Sequence, residues 1–172
     1  MRLRRITGIL AAALVAVSPV PAFAGAAGTA VNAEEQKAND GFGFSYGGSR
    51  YTVGMDAEEA LRLLGEPTGS RDVNNCARGA VRKAYTYGDG DVEVFADLDE
   101  TGTKDVVKTI TLMSGRVATE EGLKAGDPEE RIPSVYPGAV KGLGGYTVKK
   151  GGTEIYIYVN RIRKQISYIT YQ

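Results

Sequence analysis

The feature that most constrains this chain is an internal repetition. Gly54-Met55-Asp56-Ala57-Glu58-Glu59 lines up with Gly126-Asp127-Pro128-Glu129-Glu130-Arg131, and at the same spacing of 72 Ala60, Leu63 and Leu64 fall on Ile132, Val135 and Tyr136. Further on, Tyr85-Thr86-Tyr87 corresponds to Tyr146-Thr147-Val148, and Val92-Glu93-Val94-Phe95 to Ile155-Tyr156-Ile157-Tyr158. The closing segments match as Val107-x-x-Ile110 and Ile166-x-x-Ile169. Each unit reads as a glycine, an acidic helix start, a short amphipathic helix and a hairpin-rich strand run. The expected class is α+β: two tandem repeats, each a short helical segment followed by an antiparallel meander of three to four strands. Residues 45–172 form a single domain, with repeats at about 46–118 and 119–172.

The first 24 residues stand outside that argument. Arg2, Arg4 and Arg5 precede an apolar stretch from Ile6 to Val17, Ser18-Pro19-Val20-Pro21 breaks it, and Ala22-Phe23-Ala24 has the small-x-small form of a signal-peptidase site. The apolar run is shorter than the roughly 20 residues a membrane span requires. Gly25, not a cysteine, follows the expected cut, so there is no lipid-anchoring site. The expectation is a secreted or extracytoplasmic protein without stable membrane insertion. Residues 25–44 read as a flexible leader, with order beginning near Phe44 or Tyr46. The chain carries 21 basic and 21 acidic residues; losing the three leading arginines leaves 18 basic against 21 acidic. That balance argues against nucleic acid, whose binding needs a basic footprint. Cys76 is the single cysteine, read as a buried small hydrophobe, with an intermolecular disulfide as the alternative.

Asp56 is an N-cap candidate, Glu58 and Glu59 suit the positive end of the helix dipole, and Gly65-Glu66-Pro67 stops the helix. In the second unit Asp127 or Thr119 can cap. Pro133 stands where Leu61 stands in the first, which predicts a shortened or kinked helix. Lys83–Tyr87, Asp91–Leu98 and Val106–Met113 read as one meander, and Gly145–Lys150, Thr153–Asn160 and Gln165–Gln172 as the other. Residues 68–81 and 137–145 take no clear assignment, a short helix or an irregular loop being equally open. Strand alternation puts Val92, Val94 and Ala96 on one face with Ile155, Ile157 and Val159 as the core set. The opposite face carries Glu93 and Phe95, Tyr156 and Tyr158, with Tyr168 joining from the last strand alongside Ile166.

Histidine is absent, which removes the common general base, the Ser-His relay and most catalytic zinc sites. The acid pairs Glu58/Glu59 and Glu129/Glu130 stand at helix starts, where the dipole accounts for them. No catalytic residue, metal ligand set or cofactor site is expected. Asp97 to Asp105 imitates the front of a calcium loop, with oxygen ligands at the first, third, fifth and ninth positions and Gly102 at the sixth. Lys108, however, stands at the twelfth, where a bidentate carboxylate belongs, and a strand follows; the segment reads as a polar hairpin turn. Lys149-Lys150 and Arg161-x-Arg163-Lys164 mark two basic hairpin tips that could touch anionic polymers or lipid headgroups.

Ten tyrosines and no tryptophan complete the picture, with Tyr146, Tyr156, Tyr158, Tyr168 and Tyr171 crowded into the last strands. Tyrosine offers a large, rigid contact area with a polar tip, the chemistry of a recognition surface; cross-strand pairing that merely stabilises the sheet is the alternative. The pattern from Gly54 to Pro67, with Leu61 and Leu64, resembles the helical signature of secreted beta-lactamase-inhibitor-protein-like and SmpA/OmlA-like domains. The stretch Thr119-x-x-Gly122-Leu123-x-x-Gly126-Asp127 with Tyr136 is similar to the start of their following unit. That resemblance implies tandem helical-plus-sheet units whose sheets form a concave face holding a protein partner, without enzymatic activity. It implies Glu93, Phe95, Tyr156, Tyr158 and Tyr168 as partner-facing positions. The paired cysteines of the inhibitors and the lipidated cysteine of the envelope lipoproteins are missing, so neither beta-lactamase inhibition nor outer-membrane assembly is implied. The expected function is non-catalytic recognition of a protein in the envelope or medium, with a cell-wall or membrane-surface module using the basic tips as the alternative.

Overall fold

The first helix forms where its signals cluster. In the computed structural model, which describes residues 41–75 and 80–172, α1 spans Ala57–Leu64. The Asp56 carboxylate accepts the Glu59 N–H at 2.9 Å, and Gly65 closes the last turn by donating to the Leu61 carbonyl. The second helix, α2, is a single turn over Arg131–Val135. Pro133 supplies no backbone donor, and neither a side-chain cap nor a first-turn acid supports the start. Glu129 and Glu130 therefore do not complement this helix as the sequence suggested: Glu130 is the uncapped N-cap residue and Glu129 lies outside. The export signal read at 1–24, the leader up to residue 40 and Cys76 lie outside the described residues.

The described residues also form ten strands. A hairpin of β1 (Gly43–Tyr46) and β2 (Ser49–Thr52) stands by itself. The other eight are β3 (Gly69–Asn75), β4 (Ala80–Tyr87), β5 (Val92–Leu98), β6 (Asp105–Leu112), β7 (Val140–Lys141), β8 (Gly145–Lys150), β9 (Thr153–Asn160) and β10 (Gln165–Tyr171). They make one antiparallel sheet in the order β3-β4-β5-β6-β10-β9-β8-β7. The two expected meanders are thus not separate sheets, because β6 pairs with β10 through Leu112↔Ile169, Thr111↔Thr170 and Ile110↔Tyr171. Joining at that seam covers the β6 and β10 edges and leaves β3 and the two-residue β7 as the edges of this sheet.

One face of this sheet carries the core. Val92, Val94, Ile110, Leu112, Ile155, Ile157, Ile169 and Tyr171 pack there against Ala60 of α1, Ile132 of α2, and Phe42, Phe44 and Tyr51 from around the first hairpin. Ala96 and Val159, expected in the core set, are only half-buried. Phe42 and Phe44 are core residues, so the end of the segment read as leader belongs to the packed domain. Burying their rings removes substantial apolar area from water, a larger gain than the entropy kept by leaving that segment free.

Several positions aligned by the sequence comparison share their local geometry. Gly54 and Gly126, at φ +86° and +90°, each donate a backbone hydrogen bond, to the carbonyls of Val107 and Ile166, at 2.8 Å. The return bonds run from Val107 N–H to Met55 and from Ile166 N–H to Asp127, also at 2.8 Å. Each last strand then bulges at one residue. Between Ala96↔Val107 and Phe95↔Thr109 the ladder passes over Lys108, and between Val159↔Ile166 and Tyr158↔Tyr168 it passes over Ser167. The extra residue returns the chain to the core face after three residues instead of two. Val107 with Ile110, and Ile166 with Ile169, therefore all point inward. Strict alternation had put Ile166 beside Tyr168 on the open face; the bulge at Ser167 overturns that.

Tyr51 and Tyr171 bury their hydroxyls with no hydrogen-bond partner among the described residues. An unpaired buried hydroxyl is costly, and removing it at constant shape is neutral or favourable. Tyr171→Phe is expected to raise stability by about 1 kcal/mol. A urea titration checks this, and a lowered midpoint would contradict it.

Candidate functional site

The open face is built by the residues that alternate with the core. On β9, Ile155 and Ile157 point inward, which turns Tyr156 and Tyr158 outward. On β10 the bulge resets the alternation so that Tyr168 and Thr170 join them. Register then sets Tyr158 directly across from Tyr168, and Tyr156 across from Thr170. The Tyr158 and Tyr168 rings stack with centroids 4.2 Å apart at 27°, and Tyr156 meets Tyr158 edge-on at 4.3 Å and 61°. Tyr158 is 38 % exposed and the other two rings are half-buried. Together with Thr147, Glu154, Thr170 and Gln172 they line a depression of about 520 Å³. Burial, reinforced by the Tyr158 hydroxyl, pushes the Tyr168 phenol up to about 12. The Tyr168 phenol is therefore neutral at physiological pH, and the cluster offers ring area and hydroxyl donors.

A transverse row crosses six strands beside this stack: Thr86↔Glu93↔Thr111↔Thr170↔Tyr156↔Thr147. At its centre the Thr111 and Thr170 hydroxyls are 3.3 Å apart and share a hydrogen bond across the β6–β10 seam. Glu93 lies on this face as expected but is engaged: Arg71 of β3 clasps both carboxylate oxygens, at 2.7 and 2.6 Å. The fork geometry favours this pairing over a single-point contact. Phe95 shares the face but not the cluster. Its cross-strand neighbours are Ala84 and Thr109, whereas Tyr168 aligns with the Met113 end of β6, four residues and about 13 Å away along the strand. Three of the five expected positions thus form one surface, with Glu93 and Phe95 as outliers toward β4 and β3. Arg71 could not be found from sequence, since Gly-Ser-Arg-Asp-Val-Asn-Asn carries no strand pattern.

The other candidate groups resolve differently. The Asp97–Asp105 segment is a hairpin turn, with the Asp99 carboxylate accepting the Thr103 N–H and the Thr101 hydroxyl. These bonds, the Thr103 amide foremost, hold Asp99 below the usual carboxylate range. Asp97 forms an ion pair with Arg82 at 3.2 Å. Among the described residues no group of three or more Asp, Glu, His or Cys could hold a metal ion. Glu129 accepts hydrogen bonds from Lys141 at 2.7 Å and Tyr146 at 3.0 Å, and Lys141 above all holds its carboxyl below the ordinary range. Of the basic tips, Lys149 and Lys150 pair with Glu154 and Glu121 at 3.1 and 3.8 Å and Lys164 with Glu129 at 3.9 Å, while Arg161 and Arg163 have no ion-pair partner among the described residues. No known protein family matches the chain, and no curated protein or solved structure does either.

Proposed function

We propose that this chain is an exported, non-catalytic binding module that recognises a protein partner through the open sheet face, with Tyr156, Tyr158 and Tyr168 as its anchor. The observation that carries this reading is the three-ring stack held on the face opposite the core. Pre-stacked rings lose little rotamer freedom on binding, and each removes large apolar area from water. Aromatic anchors of this kind dominate the energetics of protein interfaces.

In this reading the domain consists of two copies of one helix-plus-meander unit, as the sequence resemblance implies. The paired glycine bridges and the two matching bulges support that origin. Comparing the copies then separates structure from function. Core positions keep their character: Val92 with Ile155, Val94 with Ile157, Val107 with Ile166, Ile110 with Ile169. Open-face positions diverge: Glu93 with Tyr156, Phe95 with Tyr158, Thr109 with Tyr168. A fold needs the first set alike, but nothing in the sheet demands aromatic residues at all three open positions of one copy.

The test is chemical cross-linking in the native medium and envelope, comparing wild type with a Tyr156→Ala, Tyr158→Ala, Tyr168→Ala variant of unchanged circular dichroism. A protein joined to the wild type and lost from the folded variant is the expected result, and it should survive added salt because screening acts on charges and not on rings. Equal cross-linking by both would remove the stack from the function.

A further inference from the structure

We propose a second, independent binding site: the end of the domain formed by the β7–β8 and β9–β10 turns docks onto an anionic lipid surface. Two aliphatic side chains stand almost wholly in solvent there, Leu143 at 89 % and Ile162 at 94 %. Single exposed aliphatics are ordinary. These two share one end of the sheet, where Leu143, Lys141, Arg161 and Lys164 line the same hollow with Glu129, which pairs with Lys141 and Lys164, and Arg163 lines the next.

The tip is held in shape. Asn160 Oδ1 accepts the N–H groups of both Ile162 and Arg163 at 3.0 Å, and the Lys164 N–H donates to the Asn160 carbonyl at 2.8 Å. Lys164 takes the left-handed conformation, φ +54°, which an L side chain adopts only when the surrounding turn enforces it. An ordered turn thus projects Ile162 outward between Arg161 and Arg163, neither of which has an ion-pair partner among the described residues. The corresponding β5–β6 turn is different in kind: it bears Asp99, Glu100 and Asp105, its Lys104 pairs with Asp56, and it has no exposed aliphatic residue.

Exposed apolar tips flanked by the guanidinium groups of Arg161 and Arg163 match one occupant, the interface of a bilayer containing anionic lipid. The guanidinium and ammonium groups meet headgroup phosphates while Leu143 and Ile162 enter the acyl boundary. No described helix is long and apolar enough to cross a membrane, and the contact proposed is a peripheral one. Each basic residue at such a surface contributes about fivefold in partition. The site is separate from the tyrosine stack, and its failure would leave that reading untouched.

The absence of tryptophan allows a direct test. Ile162→Trp in the full chain provides a single reporter, mixed with vesicles of phosphatidylcholine alone or of equimolar phosphatidylcholine and phosphatidylglycerol. Expected are a blue shift and quenching by brominated acyl chains with the anionic vesicles only. In the wild-type background, the pair Arg161→Glu and Arg163→Glu should reduce vesicle sedimentation at least tenfold. Any contribution from residues 1–40 is common to every variant. The Tyr156/Tyr158/Tyr168→Ala variant should sediment like wild type. No shift on anionic vesicles, an equal shift on neutral ones, or no effect of charge reversal would overturn the proposal. So would binding to a soluble polyanion without quenching by brominated lipid, which would assign the tip to a polymer instead.

Discussion

Gly145→Ala is expected to destabilise the domain by about 3 kcal/mol or more, the upper range for overpacking a tight site. A Cβ at this position would lie 1.8 Å from the Ile157 carbonyl oxygen and 2.8 Å from its carbon. Both are backbone atoms of the adjacent strand, so no side-chain rotation relieves the clash. Gly145 faces Tyr158 in the ladder, and β8 must therefore move away from β9 where the tyrosine stack is built. The loss should appear as a lowered urea midpoint together with faster amide exchange at the start of β8. Gly69→Ala is the control, since its nearest neighbour would be the Thr86 Cβ at 3.9 Å, an ordinary contact. That change should stay within about 0.5 kcal/mol. Equal stability of the two variants would contradict the packing described here.

Ile157→Ala should cost about 2–5 kcal/mol, the range for truncating a fully buried aliphatic side chain. Ile157 is wholly buried between the Tyr146 and Ile169 strands. The adjacent Tyr158 points the other way and is partly exposed, so Tyr158→Ala should cost less than half as much stability. The pair isolates the two faces of one strand. Under the proposed function, Ile157→Ala loses stability while its remaining folded fraction still binds, and Tyr158→Ala loses binding at the smaller cost in stability. Equilibrium unfolding checks the first half, and a Tyr158→Ala variant as unstable as Ile157→Ala would show the rings to be structural.

The parts of the fold that were legible are those where local chemistry and tertiary packing agree. Asp56, Glu58, Glu59 and Gly65 mark α1 by capping and charge, and Pro133 marks the truncation of α2. Alternation in Val92–Leu98 and Thr153–Asn160 correctly sorted Tyr156 and Tyr158 from Ile155 and Ile157. It failed at Ile166, because a bulge is invisible to a period of two; the spacing of three in Val107-x-x-Ile110 and Ile166-x-x-Ile169 was its only trace. The β1–β2 hairpin was hidden by its glycines, which look like leader, although Phe42, Phe44 and Tyr46 alternate up to the Gly47-Gly48 turn. β3 was illegible for another reason. It is an exposed edge strand, free of the apolar pattern that burial imposes, so Arg71 and its clasp on Glu93 came only with the sheet. Within the site, sequence found the face, but which side chains meet was decided by register across β9 and β10.

The most direct measurement places a photoreactive phenylalanine analogue at Tyr158, and separately at Leu63, an exposed residue of α1 on the helical side of the sheet. Irradiation in the native medium and envelope, followed by mass spectrometry of the adducts, reads contact at each position. One protein adduct is expected from position 158 that is missing from position 63. Adducts from position 63 alone, or none from position 158 while the folded protein is present, would contradict the assignment of the tyrosine face as the docking surface.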